Sequence, residues 1–225
     1  MATLDSVQNP GINAEVDPTH RALRVSVRPL EHQTLAGKIL GHYRIFGQTS
    51  AIAPTANAVL GLLRWTDPTN FLVIKRVYAT VTDVTAITAQ RTDPLLLLVA
   101  RSYTVAETTN VTQLTISGNN QKVRANMSTT LAASVAVASA AAGMTGGTKT
   151  NDANAFGALA FGMGVAFGGL GTGDQGDLYK WDQLGQHPIV LQTNEGVLLT
   201  WGTTTLATGT VTVGFGIEWA EVSAF

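Results

Sequence analysis

The side chains able to do chemistry in this chain are few: four histidines, 15 Asp and Glu residues together, and no cysteine. Without cysteine there is no disulfide, no thiolate nucleophile and no Cys-ligated zinc. His20, His32, His42 and His187 are scattered, with no H-x-H or H-E-x-x-H spacing to offer two imidazoles to one metal. No G-x-S-x-G sequence marks a nucleophile elbow. Gly171-Thr172-Gly173-Asp174-Gln175-Gly176 matches the dinucleotide fingerprint in letters, but no helical pattern follows it and Asp174 would face the phosphates. Gly143 to Thr150 resembles a phosphate loop until position 148, where Thr stands in place of the required Gly. Glu218 and Glu221 are three apart in a strand pattern, which sends them to opposite faces. Asp174, Asp177 and Asp182 surround Tyr179 and Trp181 without the spacing of a calcium loop, so they are expected to be solvated carboxylates of a closing loop. Tyr179 and Trp181 are the candidates for a glycan-stacking platform, against the competing expectation that they pack in a core or an interface. No catalytic residue, metal site or cofactor is expected.

The elements that would position these residues are strands. From Thr210 to Val222 the odd positions Val211, Val213, Phe215, Ile217 and Trp219 are large and apolar, with Thr212, Gly214, Gly216 and Glu218 between them. That two-residue period puts one set on each face of a strand, a pattern no helix presents as a single stripe. Val197, Leu199 and Trp201 repeat it upstream, and Thr203 to Gly209 has the length and polarity of a hairpin loop, so the chain is expected to end in an antiparallel meander. Strands are also expected at Leu23–Arg28, His42–Gly47, Val59–Trp65 and Phe71–Val84. The run Leu95 to Ala100 reads as a strand buried on both faces. The Ala-rich run Leu131 to Ala142 is where a helix would fall, although Val135 and Val137 oppose it.

Residues 1–22, with Asn9-Pro10-Gly11 and Asp17-Pro18 and little apolar periodicity, read as an extended arm, and 23–225 as a single β domain. Ala153 to Gly173 has no charge and seven glycines, and carries Phe156, Phe161 and Phe167. Its glycine content argues against a transmembrane helix and for backbone pressed against other backbone. Charged residues make up 13% of the chain, about half the usual share. A surface rich in neutral Thr, Ser, Asn and Gln, and neighbouring chains that cover part of it, would each explain that deficit. The net charge of −1 gives no footprint for nucleic acid, and no basic cluster suits a membrane surface. The N-terminus shows no basic segment followed by an apolar run, so synthesis in a cytoplasm is the expectation.

Three stretches resemble a set of tailed-bacteriophage virion proteins. They are Val16-Asp17-Pro18-Thr19-His20-Arg21-Ala22-Leu23-Arg24-Val25; Leu97 to Tyr103 followed by Ser117-Gly118-Asn119-Asn120; and Pro188 to Gly196 with Ile217-Glu218-Trp219-Ala220-Glu221-Val222. The resemblance implies an all-β, antiparallel β-sandwich or jelly-roll subunit on the particle exterior. It further implies a homotrimer that decorates the major capsid protein lattice without enzymatic activity. Pro10, Val16, Pro18 and Arg21 in the arm, and Phe156, Phe161 and Phe167 in the Gly/Phe segment, are the interface candidates. The alternative is a tail or baseplate carbohydrate-binding or adhesion module that uses Tyr179, Trp181 or an exposed Trp201.

Overall fold

A computed structural model describes residues 14–16, 23–25, 39–85, 87–88, 91–116, 133–163, 173–181 and 187–224. Pro10, Pro18, Arg21 and Phe167 lie outside the described residues. Among those described the protein is all-β, with two antiparallel sheets packed face to face as a β-sandwich. The strands are β1 (Ala14–Val16), β2 (Leu23–Val25), β3 (Ile39–Gln48), β4 (Val59–Trp65), β5 (Phe71–Thr85), β6 (Arg91–Val105) and β7 (Val111–Gln113). They continue with β8 (Ala133–Ala138), β9 (Thr148–Asn151), β10 (Gly157–Met163), β11 (Gly173–Lys180), β12 (Val190–Leu191), β13 (Glu195–Trp201) and β14 (Thr210–Val222).

One sheet runs β11-β5-β14-β3, with β12 also on β5; the other runs β10-β6-β13-β4-β8-β7, with β9 also on β6. The long ladders are nested: β3 pairs with β14, β4 with β13, β5 with β11 and β6 with β10. The first half of the sandwich therefore lies strand by strand against the second half in reverse order. β7 and β8 extend the second sheet beyond β4.

The alternation in β14 places its large residues inward: Val211, Phe215, Ile217 and Trp219 are fully buried, facing the other sheet's Leu63, Leu97, Val99 and Leu199. Three tryptophans, Trp65, Trp201 and Trp219, are sealed in this interlayer. Two of them satisfy their indole N–H on loop carbonyls, Trp65 donating to Asn70 O at 2.9 Å and Trp201 to Thr204 O at 2.9 Å. Each loop is thus tied to the core it covers.

Several expectations are corrected. β13 and β14 form no hairpin, because they belong to different sheets and residues 202–209 carry the chain across the sandwich. Alternation specifies which face of a strand is dry, and two strands on opposite sides of one core satisfy it as well as two neighbours. Leu206 plugs the crossing, with its N–H donated to Pro54 O at 2.9 Å. The Ala-rich stretch forms strand β8, held by ladders on both sides, so tertiary pairing overrides alanine's helix preference. In β6, Leu95, Leu97 and Val99 are fully buried while Leu96 and Leu98 are only half-buried, so this strand has one dry face rather than two. Residues 173–180, expected within a loop, are strand β11. β1 and β2 pair with each other, Ala14 opposite Val25 and Val16 opposite Leu23.

Within the Gly/Phe segment, backbone presses on backbone at Gly157, whereas a Cβ on Gly162 would meet nothing within 4 Å. A Cβ on Gly157 would lie 2.2 Å from the Leu178 carbonyl oxygen, so β10 approaches β11 as closely as a glycine permits. Among the described residues no helix is long and apolar enough to cross a membrane.

Candidate functional site

Polar chemistry in this molecule gathers on the outer face of the β11-β5-β14-β3 sheet. The register aligns it in rows across the strands, where directly opposed side chains meet. Gly216 of β14 lies opposite Phe46 of β3 on one side and Tyr78 of β5 on the other, and Tyr78 in turn lies opposite Asp177 of β11. In the next row Glu218 lies between Arg44 and Arg76, and Arg76 is opposite Lys180. The row on the other side holds Gln48, Gly214, Thr80 and Gln175.

Two aromatic rings occupy the middle row. A Cβ on Gly216 would stand 2.1, 2.4 and 2.5 Å from Cζ, Cε1 and Cε2 of Tyr78. Three such similar distances require the ring to present its face, not its rim, to the strand, so Tyr78 lies flat on the Gly216 backbone. Phe46 is parallel to it within 8°, with centroids 6.0 Å apart, and a Cβ on Gly214 would stand 2.6 and 2.8 Å from its Cζ and Cε2 and 2.2 Å from the Thr80 hydroxyl. The two rings lie over one strand as a near-parallel, offset stack that forms an aromatic platform. Only glycine at 214 and 216 leaves room for it. Phe46 remains 41% exposed, one of the few large apolar side chains at the surface.

Charged groups frame the platform. Arg76 Nε lies 2.6 Å from Asp177 Oδ1, and the Arg76 guanidinium stands 4.8 Å from the Tyr78 ring centroid. Asp177 beside it raises the Arg76 pKa further. His42 Nε2 lies 2.9 Å from Glu218 Oε1, and this neighbour holds the Glu218 carboxyl below its usual range despite partial burial. Lys75 is pulled down from the usual lysine value by burial, partly countered by Glu218, and its ammonium lies 4.4 Å from the Trp181 ring centroid.

The glycan-platform candidates do not offer free ring faces. Trp181 is only 6% exposed, packed with Val73, Ala220 and Val222 beneath the Lys75 ammonium. Tyr179 is half-buried, its hydroxyl accepts the Ile189 N–H at 3.0 Å, and burial raises its pKa. Among the interface candidates, Phe161 is buried in the chain's own core and presents nothing to a neighbour. Phe156 is 51% exposed and meets the Tyr179 ring edge-on, with centroids 5.5 Å apart. Val16 lies in the β1–β2 ladder. Sequence reading missed Phe46 and Tyr78, because their adjacency depends on which strands flank β14. Gly214 and Gly216, placed where the alternation calls for outward side chains, were the available signal.

Two further polar clusters are engaged internally. Glu107, buried beyond the end of β6, pairs with Lys149 and accepts the Gly147 N–H at 2.7 Å and the Tyr103 hydroxyl at 3.3 Å. Burial, then the Glu107 charge, push the Tyr103 phenol far above its ordinary value. At the other end, an open depression lined by Ile87, Thr88, Arg91, Asp93, Thr204 and Thr208 has its charges already paired, with Arg91 bonded to Asp93 and to Thr205 O. Asp177, expected as a solvated carboxylate, is paired with Arg76, and among the described residues no group of three or more His, Asp or Glu could hold a metal. No protein-family model, curated protein or solved structure matches the chain.

Proposed function

We propose that this protein is a non-enzymatic structural subunit of a tailed-bacteriophage virion, a capsid decoration protein that assembles as a homotrimer on the head exterior against the major capsid protein lattice. The observation that carries the reading is the nested strand order. Pairing β3, β4, β5 and β6 with β14, β13, β11 and β10 in a β-sandwich supports reading it as a jelly roll, a double-sheet architecture used by viral capsid domains. One fold serves many functions, so the reading rests jointly on this plan and on the three stretches that resemble virion proteins.

Two features support it. Charge is sparse, at 13% of residues, as suits a surface shared with other chains. Exposed Phe156, just ahead of β10, places an aromatic anchor edge-on to Tyr179 of β11. Weak contacts repeated around a three-fold axis would sum to firm attachment.

Native mass measurement tests assembly, and co-sedimentation with particles lacking the protein tests attachment. A trimer of the 23.6 kDa chain that sediments with heads is expected. A strict monomer that never sediments with heads overturns the proposal. The tail or baseplate carbohydrate-binding alternative is less supported at its stated residues, since Trp201 and Trp181 are buried and Tyr179 is half-buried.

A further inference from the structure

We infer that the Phe46–Tyr78 platform is a binding site for an anionic oligosaccharide, one whose pyranose rings carry carboxylates. The inference stands on the outer-sheet geometry and does not depend on the virion reading.

Leaving an apolar ring 41% exposed on the outer face of a sheet forgoes much of the burial it could give the fold. Here β14 gives up side chains at Gly214 and Gly216, which weakens a strand, and the result is a flat aromatic floor. Arg76, clamped by Asp177, already stands against Tyr78, so Phe46 is the ring that remains open to a ligand. A flat apolar floor with polar groups at its rim matches a pyranose, which has an apolar C–H face and a periphery of hydroxyls. The rim supplies the matching groups. On one side of the rings lie the Gln48 amide and the Thr80 hydroxyl, able both to donate and to accept. On the other side lie Arg44, Arg76 and Lys180 around Glu218.

Charge selects the class of sugar. Arg44, Lys75, Arg76 and Lys180 exceed Asp177 and Glu218 on this face, in a chain whose net charge is −1. Arg44 and Lys180 are exposed at opposite ends of their row, so a ligand carboxylate reaches a cation on either side of the platform. Single-stranded nucleic acid would also stack on such rings. Its phosphates, however, need a continuous cationic track, and here Arg76 is held by Asp177 while Glu218 stands in the middle of the charged row.

The test titrates the full chain with oligogalacturonate, with the uncharged gluco-oligosaccharide of equal length, and with oligo-dT. Oligogalacturonate is expected to bind best, with an affinity that falls as salt rises. Phe46→Ala should weaken it roughly three- to tenfold. Arg44→Ala should flatten the salt dependence, and Phe46→Trp should preserve binding. Val105→Ala, an exposed apolar change on the other sheet, should bind as the unaltered chain does. Unfolding midpoints measured alongside confirm that each variant is folded; should Phe46→Ala not fold, Arg44→Ala carries the test. The inference is overturned by no binding of oligogalacturonate, by equal binding to Phe46→Ala, or by tighter binding of the gluco-oligosaccharide or oligo-dT. Loss of self-association in Phe46→Ala without any glycan binding also overturns it, since the platform would then be a subunit contact.

Discussion

Gly61 of β4 and Phe215 of β14 belong to opposite sheets, and their contact tests how the two sheets face each other. A Cβ on Gly61 would lie 2.5 Å from Phe215 Cγ, 2.8 Å from its Cβ and 2.9 Å from its Cδ1. Those atoms sit near the backbone of a fully buried residue and cannot swing away. Gly61→Ala should therefore cost about 1–3 kcal/mol in overpacking. Replacing a strand glycine returns about 0.5–1 kcal/mol of backbone entropy. The steric term wins, leaving a net loss of about 1–2 kcal/mol. Urea unfolding should show a lower midpoint at unchanged slope, with Tm about 3–6 °C lower for a domain of this size. Phe215→Ala should cost about 3–5 kcal/mol as a cavity. In that background Gly61→Ala should be nearly neutral, a coupling of about 1 kcal/mol or more. Equal cost of Gly61→Ala in both backgrounds, or no cost in either, would refute the facing of β4 and β14 across the core.

Three other outcomes follow from single sites. Asp67 is opposed by its own burial, but the Asn70 amide, the N–H groups of Thr69 and Asn70 and the Thr69 hydroxyl hold its carboxyl down at about 2, against an ordinary 3.8. A depressed carboxyl stabilises above its unfolded value and loses that contribution as pH falls through the folded one. Asp67→Ala should therefore lose about 1–2 kcal/mol at neutral pH, after discounting for solvent screening, and the gap from the unaltered chain should close between about pH 4 and pH 2 in acid unfolding curves. Glu107→Ala leaves Lys149 and the Gly147 N–H without their buried acceptor and should cost about 3–5 kcal/mol; Glu107→Leu with Lys149→Met should recover much of this in the same denaturant assay. Gly157→Ala drives a methyl into the Leu178 carbonyl, a backbone atom that cannot rotate aside, and should lower Tm by more than Gly61→Ala does.

Much of the fold was legible before any coordinates. The period-two pattern at 210–222 identified both a strand and its dry face, because alternation is a property of one strand and needs no partner. The same holds for Tyr43 and Ile45 in β3, and for the glycines of the 153–173 segment, where Gly157 does meet another backbone. Partner choice was another matter. Trp201 and Val211 look like the arms of a hairpin in sequence, yet they sit in opposite layers, and nothing in either strand encodes that. Val135 and Val137 opposed a helix only weakly until β4 and β7 closed on them.

The candidate site divides along the same line. Sequence pointed to Tyr179 and Trp181, neighbours along the chain in a polar stretch, and pairing on β5 packed both against the sheet. Phe46 and Tyr78 are remote in sequence and became a platform only because β14 came between their strands with glycine at the two places where rings had to lie. Residue type and local period set what each strand can bury, since they act within a few residues. Which side chains share a surface depends on ladders between distant segments, and only the folded chain decides those.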